Sequence, residues 1–199
     1  MIRAKVEKRI DQYLDLLARW RYEVVKRLDL EYAQSEMVMG EQVHEGPWQA
    51  ITLPFEFKKM WVDHWFRGVV SLPVGSGALY LQLETETDTL IFINGIPVGA
   101  TNPFHPRIEV TQWAGEQITF VAQAWGGHRY PGFHPSDQGR VQACVSIHKR
   151  DYPLTCKTPL LLTRNDDVYE LYYDAKVLRQ ISKTLDPTSH HYQYLLSTL

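Results

Sequence analysis

Leu90-Ile91-Phe92-Ile93-Asn94-Gly95-Ile96-Pro97-Val98-Gly99 is the stretch whose reading decides the fold. Asn-Gly between two apolar runs is the strongest short-range signal for a two-residue type I′ turn, because both central positions need positive φ. The flanking runs must then pair antiparallel. Outward from this hairpin the period stays at two. Phe66, Gly68, Val70 and Leu72 alternate with Trp65, Arg67, Val69 and Ser71, and Pro73 with Gly75-Ser76-Gly77 closes the strand. Leu79, Leu81 and Leu83 alternate with Tyr80, Gln82 and Glu84, giving one buried and one wet face. Ile118, Phe120, Ala122 and Ala124 repeat the pattern, as do Val141, Ala143, Val145 and Ile147. Short strands at such intervals, separated by polar turns, argue for a β-sandwich of jelly-roll type.

At both ends the period changes to that of a helix. Ile2, Val6, Ile10, Tyr13, Leu14 and Leu17 recur at helical spacing with charged residues between them, so the first twenty residues form an amphipathic helix. The run from Trp20 to Met39 reads as an irregular or partly helical connection, and Glu45-Gly46-Pro47-Trp48 breaks any helix. Beyond Pro159, Val168, Leu171, Tyr172, Ala175, Leu178 and Ile181 fall on one face, and Asn165-Asp166-Asp167 supplies N-cap candidates. Asp186-Pro187 is expected to cap a second helix, whose Tyr192, Leu195, Leu196 and Leu199 make an apolar seam. The chain stops inside that seam, which leads to the expectation of a longer polypeptide or of a partner that covers it. The expected organisation is an N-terminal helix and connection over 1–40, a jelly-roll β-sandwich over 41–160 and a helical connector over 161–199.

Composition excludes several classes of function. The 199 residues are 44% hydrophobic and 22% charged, ordinary globular usage that argues against wholesale disorder. A formal charge of −2, with no long basic run, offers no footprint for nucleic acid or an acidic membrane. No window reaches the roughly 18 apolar residues of a membrane span, and the charged N-terminus lacks the apolar core of a signal peptide. Cys144 and Cys156 have no metal-ligand spacing; reduced thiols in a cytoplasmic protein are expected, with a single disulfide as the alternative.

Acids, histidines, serines and paired glycines are the residue types here that could carry chemistry. Glu84, Glu86 and Asp88 would share one face of a strand, at about the 5 to 9 Å spacing a glycosidase needs. The same pattern is what a solvated face looks like, and nothing signals a pocket that would raise one pKa. His105, His128 and His134 lack the paired spacing that fixes a metal site locally. His190-His191 point in different directions on a helix. Ser71, Ser76 and Ser146 have no nucleophile elbow, and Gly126-Gly127 has no phosphate-loop context. Trp65 is expected to fill core or inter-sheet space, with Arg67 paired to an acid across the sheet. The remaining stretch, Trp125-Gly126-Gly127-His128-Arg129-Tyr130-Pro131-Gly132-Phe133-His134, is dense in rings and glycines. Trp125, His128, Tyr130, Phe133 and His134 are therefore the contact candidates, either for the apolar face of a sugar or for a neighbouring domain.

The order of these motifs resembles a known family. Trp48, then Trp65-Phe66-Arg67 leading to Leu72-Pro73, then Phe92-Ile93-Asn94-Gly95-Ile96-Pro97-Val98-Gly99, then Ala124-Trp125-Gly126-Gly127-His128 are similar to the N-terminal region of glycoside hydrolase family 38. These are α-mannosidases of the cytosolic and vacuolar type and their bacterial relatives. Asp167-Val168-Tyr169-Glu170-Leu171-Tyr172-Tyr173-Asp174 resembles the connector that precedes the catalytic barrel in that family. The resemblance implies a galactose-binding-like jelly roll with an N-terminal helix and a C-terminal helical connector. It also implies that the zinc ion and aspartate nucleophile of the family belong to a catalytic domain beyond this region, so no catalytic or metal-binding residue, and no cofactor, is assigned here. The expected role is a non-catalytic N-terminal accessory domain, supporting the catalytic domain of the same polypeptide, the active-site rim or homo-oligomer contacts. The alternative is an autonomous lectin-like module that binds mannosides.

Overall fold

Asn94 and Gly95 have φ of 50° and 83° in the computed structural model, the two positive values that a type I′ turn requires. The strands they join pair antiparallel with Ile93 opposite Ile96, and the register shifts between Pro97 and Gly99. The Asn94 side chain also extends the sheet. Its Oδ1 accepts the Thr119 backbone N–H at 3.0 Å, while its own N–H donates to the Thr119 carbonyl at 2.8 Å.

The structure describes residues 2–38, 41–43, 47–59, 62–75, 77–126 and 153–198. They fall into two compact units, Val24–Leu162 and the pair of segments Met1–Glu23 and Thr163–Leu199. The strands in chain order are β1 (Tyr22–Arg27), β2 (Glu31–Gln34), β3 (Glu36–Val38), β4 (Glu41–Val43), β5 (Gln49–Ala50), β6 (Phe55–Phe57), β7 (Asp63–Ser71), β8 (Leu79–Gln82), β9 (Thr89–Ile93), β10 (Ile96–Thr101), β11 (Arg107–Glu109), β12 (Gln117–Trp125), β13 (Leu154–Cys156) and β14 (Leu160–Arg164).

A six-stranded sheet runs in the order β10-β9-β12-β7-β2-β5 and a four-stranded sheet in the order β1-β14-β8-β11; β13 pairs with β6 and β3 with β4. One apolar cluster joins Phe66, Ile91, Ile118 and Phe120 of the larger sheet with Leu79, Leu81 and Leu161 of the smaller and with Phe57, Leu154 and Cys156. The fold is therefore a β-sandwich with flanking helices. Phe66 and Phe120 are fully buried, and burying a ring of that size stabilises by about 1.5–3 kcal/mol.

Two local expectations change. The run after Trp20 is neither irregular nor helical: it forms β1, β2 and β3, and β2 joins the larger sheet against β7 with Tyr32 opposite Phe66. Cross-strand packing of Tyr32 against Phe66 and Phe55, with ring centroids 5.4 and 4.7 Å apart, supplies what local periodicity did not reveal. Tyr80 is buried rather than wet, its hydroxyl near Glu109 at 3.5 Å. The strand expected over Val141 to Ile147 lies outside the described residues.

The helical unit holds α1 (Ile2–Trp20), α2 (Asp166–Thr184) and α3 (His190–Thr198). Asn165 is the N-cap of α2, its side chain accepting the Val168 N–H at 3.2 Å, with Asp166 and Asp167 in the first turn. The Asn165 N–H donates to the Arg21 carbonyl at 3.0 Å, and farther along Arg179 of α2 meets Asp11 of α1, so the two helices run antiparallel. Asp186 does not cap α3 as expected. Its carboxylate accepts the Thr188 N–H at 2.8 Å in a turn of its own, and Ser189 Oγ instead accepts the Tyr192 N–H at 3.2 Å. Tyr192 is buried and its hydroxyl donates to Glu7. Among the described residues no helix is long and apolar enough to cross a membrane.

Candidate functional site

β12 lies between β7 and β9, so its alternate side chains divide cleanly between two faces. Ile118, Phe120, Ala122 and Ala124 enter the core, while Thr119, Val121, Gln123 and Trp125 line the outer face of the six-stranded sheet. In register with them stand Trp65 opposite Gln123, Arg67 opposite Val121, and Val69 opposite Thr119 on β7. On the other flank Phe92 is opposite Val121 and Leu90 opposite Gln123.

Polar contacts pin this outer face at both ends. At the Trp125 end, Gln123 Nε2 donates to Asp63 Oδ2 at 2.6 Å. Trp125 N–H donates to the Asp88 carbonyl at 3.0 Å, and its own carbonyl accepts from Thr87 Oγ1 at 2.9 Å. In the middle, the Trp65 ring lies 6.4 Å from Phe92 and its indole N–H donates to Ser35 Oγ at 2.6 Å. At the far end Arg67 donates to Glu31 Oε2 from Nε at 2.8 Å and Nη2 at 2.5 Å, with its guanidinium 4.5 Å from the Trp48 ring. The acid partner expected for Arg67 is thus Glu31, directly opposite on β2. Trp65 is not in the inter-sheet core: its position on β7 has the parity of the outer face.

Beneath the Trp125 end sits a buried polar group that periodicity did not single out. His64 is 0% exposed, with its Nε2 2.8 Å from the Lys59 carbonyl and its Nδ1 2.7 Å from the Tyr32 hydroxyl. A carbonyl can only accept, so Nε2 carries the proton and Nδ1 accepts from Tyr32. Burial holds the His64 imidazole below its ordinary value and pushes the Tyr32 phenol up to about 12, so both are neutral at pH 7. Gly126 closes over this pair. A Cβ there would lie 2.2 Å from the Val62 carbonyl and 2.9 Å from His64 Nε2, and the Gly126 N–H donates to that same carbonyl at 2.9 Å. The parity of Asp63-His64-Trp65 places His64 on the core face, which is the signal that could have found it.

Of the contact candidates, Trp125 stands at the end of β12, 39% exposed. His128, Tyr130, Phe133 and His134 lie outside the described residues. Glu84, Glu86 and Asp88 are not on a strand, since β8 ends at Gln82 and Glu86 has a φ of 60°. Burial still alternates there, with Thr85, Thr87 and Thr89 inside. Glu84 pairs with Lys157 at 2.6 Å, and Glu86 accepts the Thr155 N–H at 3.0 Å. These carboxylates tie a loop to the segment around β13. His105 is exposed, as are His190 and His191, and among the described residues no group of three or more His, Cys, Asp or Glu is placed to hold a metal ion. Ser71 is exposed at the end of β7; Ser76 and Ser146 lie outside the described residues.

No family model matches the chain, and no curated protein matches it. Among solved structures, the chain is similar to a Faecalibacterium prausnitzii β-glucuronidase with a TM-score of 0.43 and 12% identity, over 72% of this chain and 31% of the enzyme. The aligned region thus spans about a third of that enzyme's length. A likeness at this level carries no functional argument.

Proposed function

We propose that this chain is a non-catalytic accessory module of a glycoside hydrolase, of the α-mannosidase type that its motif order resembles, and that the outer face of its six-stranded sheet docks onto the catalytic domain. The observation that carries the reading is the composition of that face. A sheet side that faces water in an isolated domain is ordinarily polar, yet this one carries Trp65, Phe92, Val121, Val69, Leu90 and Trp125, the last three exposed. Aromatic side chains held by a few polar anchors are what domain interfaces enrich. The engagement of Glu84 and Glu86 in structural contacts favours this role over catalysis by those acids.

The test is the mass of the native polypeptide in an extract of the source cells, detected with an antibody against this chain. A band several times heavier than 23.2 kDa is expected, and assay of that larger polypeptide on aryl mannosides then tests the sugar class. A band at the chain's own mass overturns the accessory reading. In that case titration with methyl α-mannoside, followed by the indole signal of Trp125, becomes the test of an autonomous lectin-like module.

A further inference from the structure

The chain that leads from the smaller sheet to the larger leaves a notch beside β7. β1 pairs with β14 in the smaller sheet and β2 with β7 in the larger, so Leu28, Asp29 and Leu30 cross from one to the other. The crossing is fastened where the Leu28 N–H donates to the Pro159 carbonyl at 3.0 Å and the Ile51 N–H to the Leu30 carbonyl at 3.2 Å. The register of β2 against β7 ends where Glu31 opposes Arg67. In an antiparallel ladder alternate residues turn their N–H and C=O toward opposite neighbours. The Leu72 N–H donates to Glu116 on the β12 side, and the Asp63 carbonyl accepts from Ser35 on the β2 side. Val69 therefore turns its backbone toward the β2 side, where it has no strand partner.

A notch of about 360 Å³ opens there, lined by Lys26, Arg27, Asp29, Glu31, Arg67 and Val69, with the buried Leu28 and Leu30 at its base. Its polar groups are only partly used. Arg67 donates from Nε and Nη2 to the same oxygen of Glu31, so Arg67 Nη1 and Glu31 Oε1 keep their hydrogen-bonding capacity. The exposed Asp29 carboxylate takes part in no hydrogen bond or ion pair among the described residues. The Trp48 ring, 4.5 Å from the Arg67 guanidinium, steadies that fork beside the notch.

The chemistry of the lining selects the ligand. An anionic group would meet Asp29 and Glu31, and a cationic one would meet Lys26, Arg27 and Arg67. A neutral molecule rich in hydroxyls meets neither objection. A carboxylate and a guanidinium each present two parallel hydrogen-bonding atoms, which match neighbouring hydroxyls on a pyranose ring. The open Val69 N–H and C=O add a donor and an acceptor of fixed direction, and the apolar base suits the C–H face of the sugar. The volume is near the lower end of small-ligand pockets, about 300 Å³, so one ring fits. The bare edge of β7 runs only from Val69 to Ser71, too short for an added peptide strand. We propose that this notch is a binding subsite for a neutral pyranose, with Asp29, Glu31, Arg67 and the Val69 backbone as its hydrogen-bonding groups. It lies at the end of the outer face away from Trp125, and the proposal does not rest on the accessory role argued above.

Titration of the isotope-labelled full chain with methyl glucoside, methyl galactoside and methyl mannoside, each to about 50 mM, tests it by amide and indole NMR shifts. At least one glycoside is expected to shift the Val69 and Leu30 amides and the Trp48 indole saturably, with a dissociation constant of about 1–10 mM. Asp29→Asn should raise that constant about tenfold and leave the thermal melt unchanged, because Asp29 has no side-chain partner within the chain. Arg67→Lys, which keeps the charge and loses the fork, should raise it by a similar factor. The absence of a saturable shift with all three glycosides overturns the proposal, as do shifts confined to Trp125 and its neighbours. Equal shifts from sodium sulfate, or binding that Asp29→Asn leaves intact, overturn it as well.

Discussion

Arg179 grips both carboxylate oxygens of Asp11, with Nε 2.8 Å from one and Nη2 2.9 Å from the other. The arginine side chain is almost wholly buried, the aspartate half exposed, and Ser182 Oγ accepts from Nη1 at 3.4 Å. The pair locks α1 to α2 at the level where Ile10 is buried, and bidentate geometry makes it stronger than a surface ion pair. Asp11→Asn leaves a buried guanidinium short of its anion, and the expected cost is about 2 kcal/mol. Hydrogen exchange of the α1 and α2 amides measures it.

The same pair sets an acid limit. The Arg179 hydrogen bonds hold the Asp11 carboxyl below its ordinary value of 3.8, so the unfolded chain binds the proton first as pH falls. The stabilisation is complete above the ordinary value and is lost as pH drops through the lower folded one. Protection of α1 amides should therefore decline below about pH 4 in the parent, and Asp11→Asn should flatten that decline.

His64 gives a second pH dependence with a different window. Its folded value lies below the ordinary 6.5 because burial disfavours the charged ring. The unfolded chain takes up a proton as pH falls through about 6.5 while the folded one does not. Stability should be greatest above that value and should decline below it until the folded value is reached. Urea unfolding at pH 7.5 and 5.5 reads the slope, which His64→Gln should remove. Tyr32→Phe, which takes away the donor to Nδ1, should cost about 1–3 kcal/mol at either pH.

Gly126→Ala is expected to destabilise the sandwich unit by more than about 2 kcal/mol. The added methyl would meet the Val62 carbonyl at 2.2 Å and the His64 ring at 2.9 Å, and neither can retreat: one is backbone, the other is held by two hydrogen bonds. At Gly95 a Cβ meets nothing within 4 Å, so Gly95→Ala should cost only the left-handed backbone penalty of about 1 kcal/mol. Thermal melts of the two variants test the order.

Cys156 is buried in the core cluster, and burial pushes its thiol far above its ordinary value. It should resist an aromatic disulfide reagent at pH 8 for as long as the fold persists and should react at the rate of unfolding once urea is added. Rapid modification of Cys156 in the native protein, located by peptide mass, would contradict the burial.

The sheet and helix periods were legible because they are local. Asn94-Gly95 specified its turn through the positive φ both positions need, the alternation in β7 and β12 specified which side chains face the core, and Asn165 specified the start of α2 through its cap. What the sequence could not disclose depends on partners distant along the chain. Tyr32 becomes a strand residue because Phe66 and Phe55 receive its ring, and Trp65 lies outside the sandwich because its indole finds Ser35. Glu84 and Glu86 leave their expected strand because Lys157 and the Thr155 amide hold them. The contact surface divides in the same way. Ring-rich composition pointed to Trp125, but only the pairing of β12 between β7 and β9 brings it onto one face with Trp65, Phe92 and Val121. The sequence by itself determined periodicities, caps and turns, which follow from backbone geometry over a few residues. The tertiary structure decided which polar groups are satisfied and which apolar faces remain open, because both depend on what the rest of the chain brings within a few ångströms.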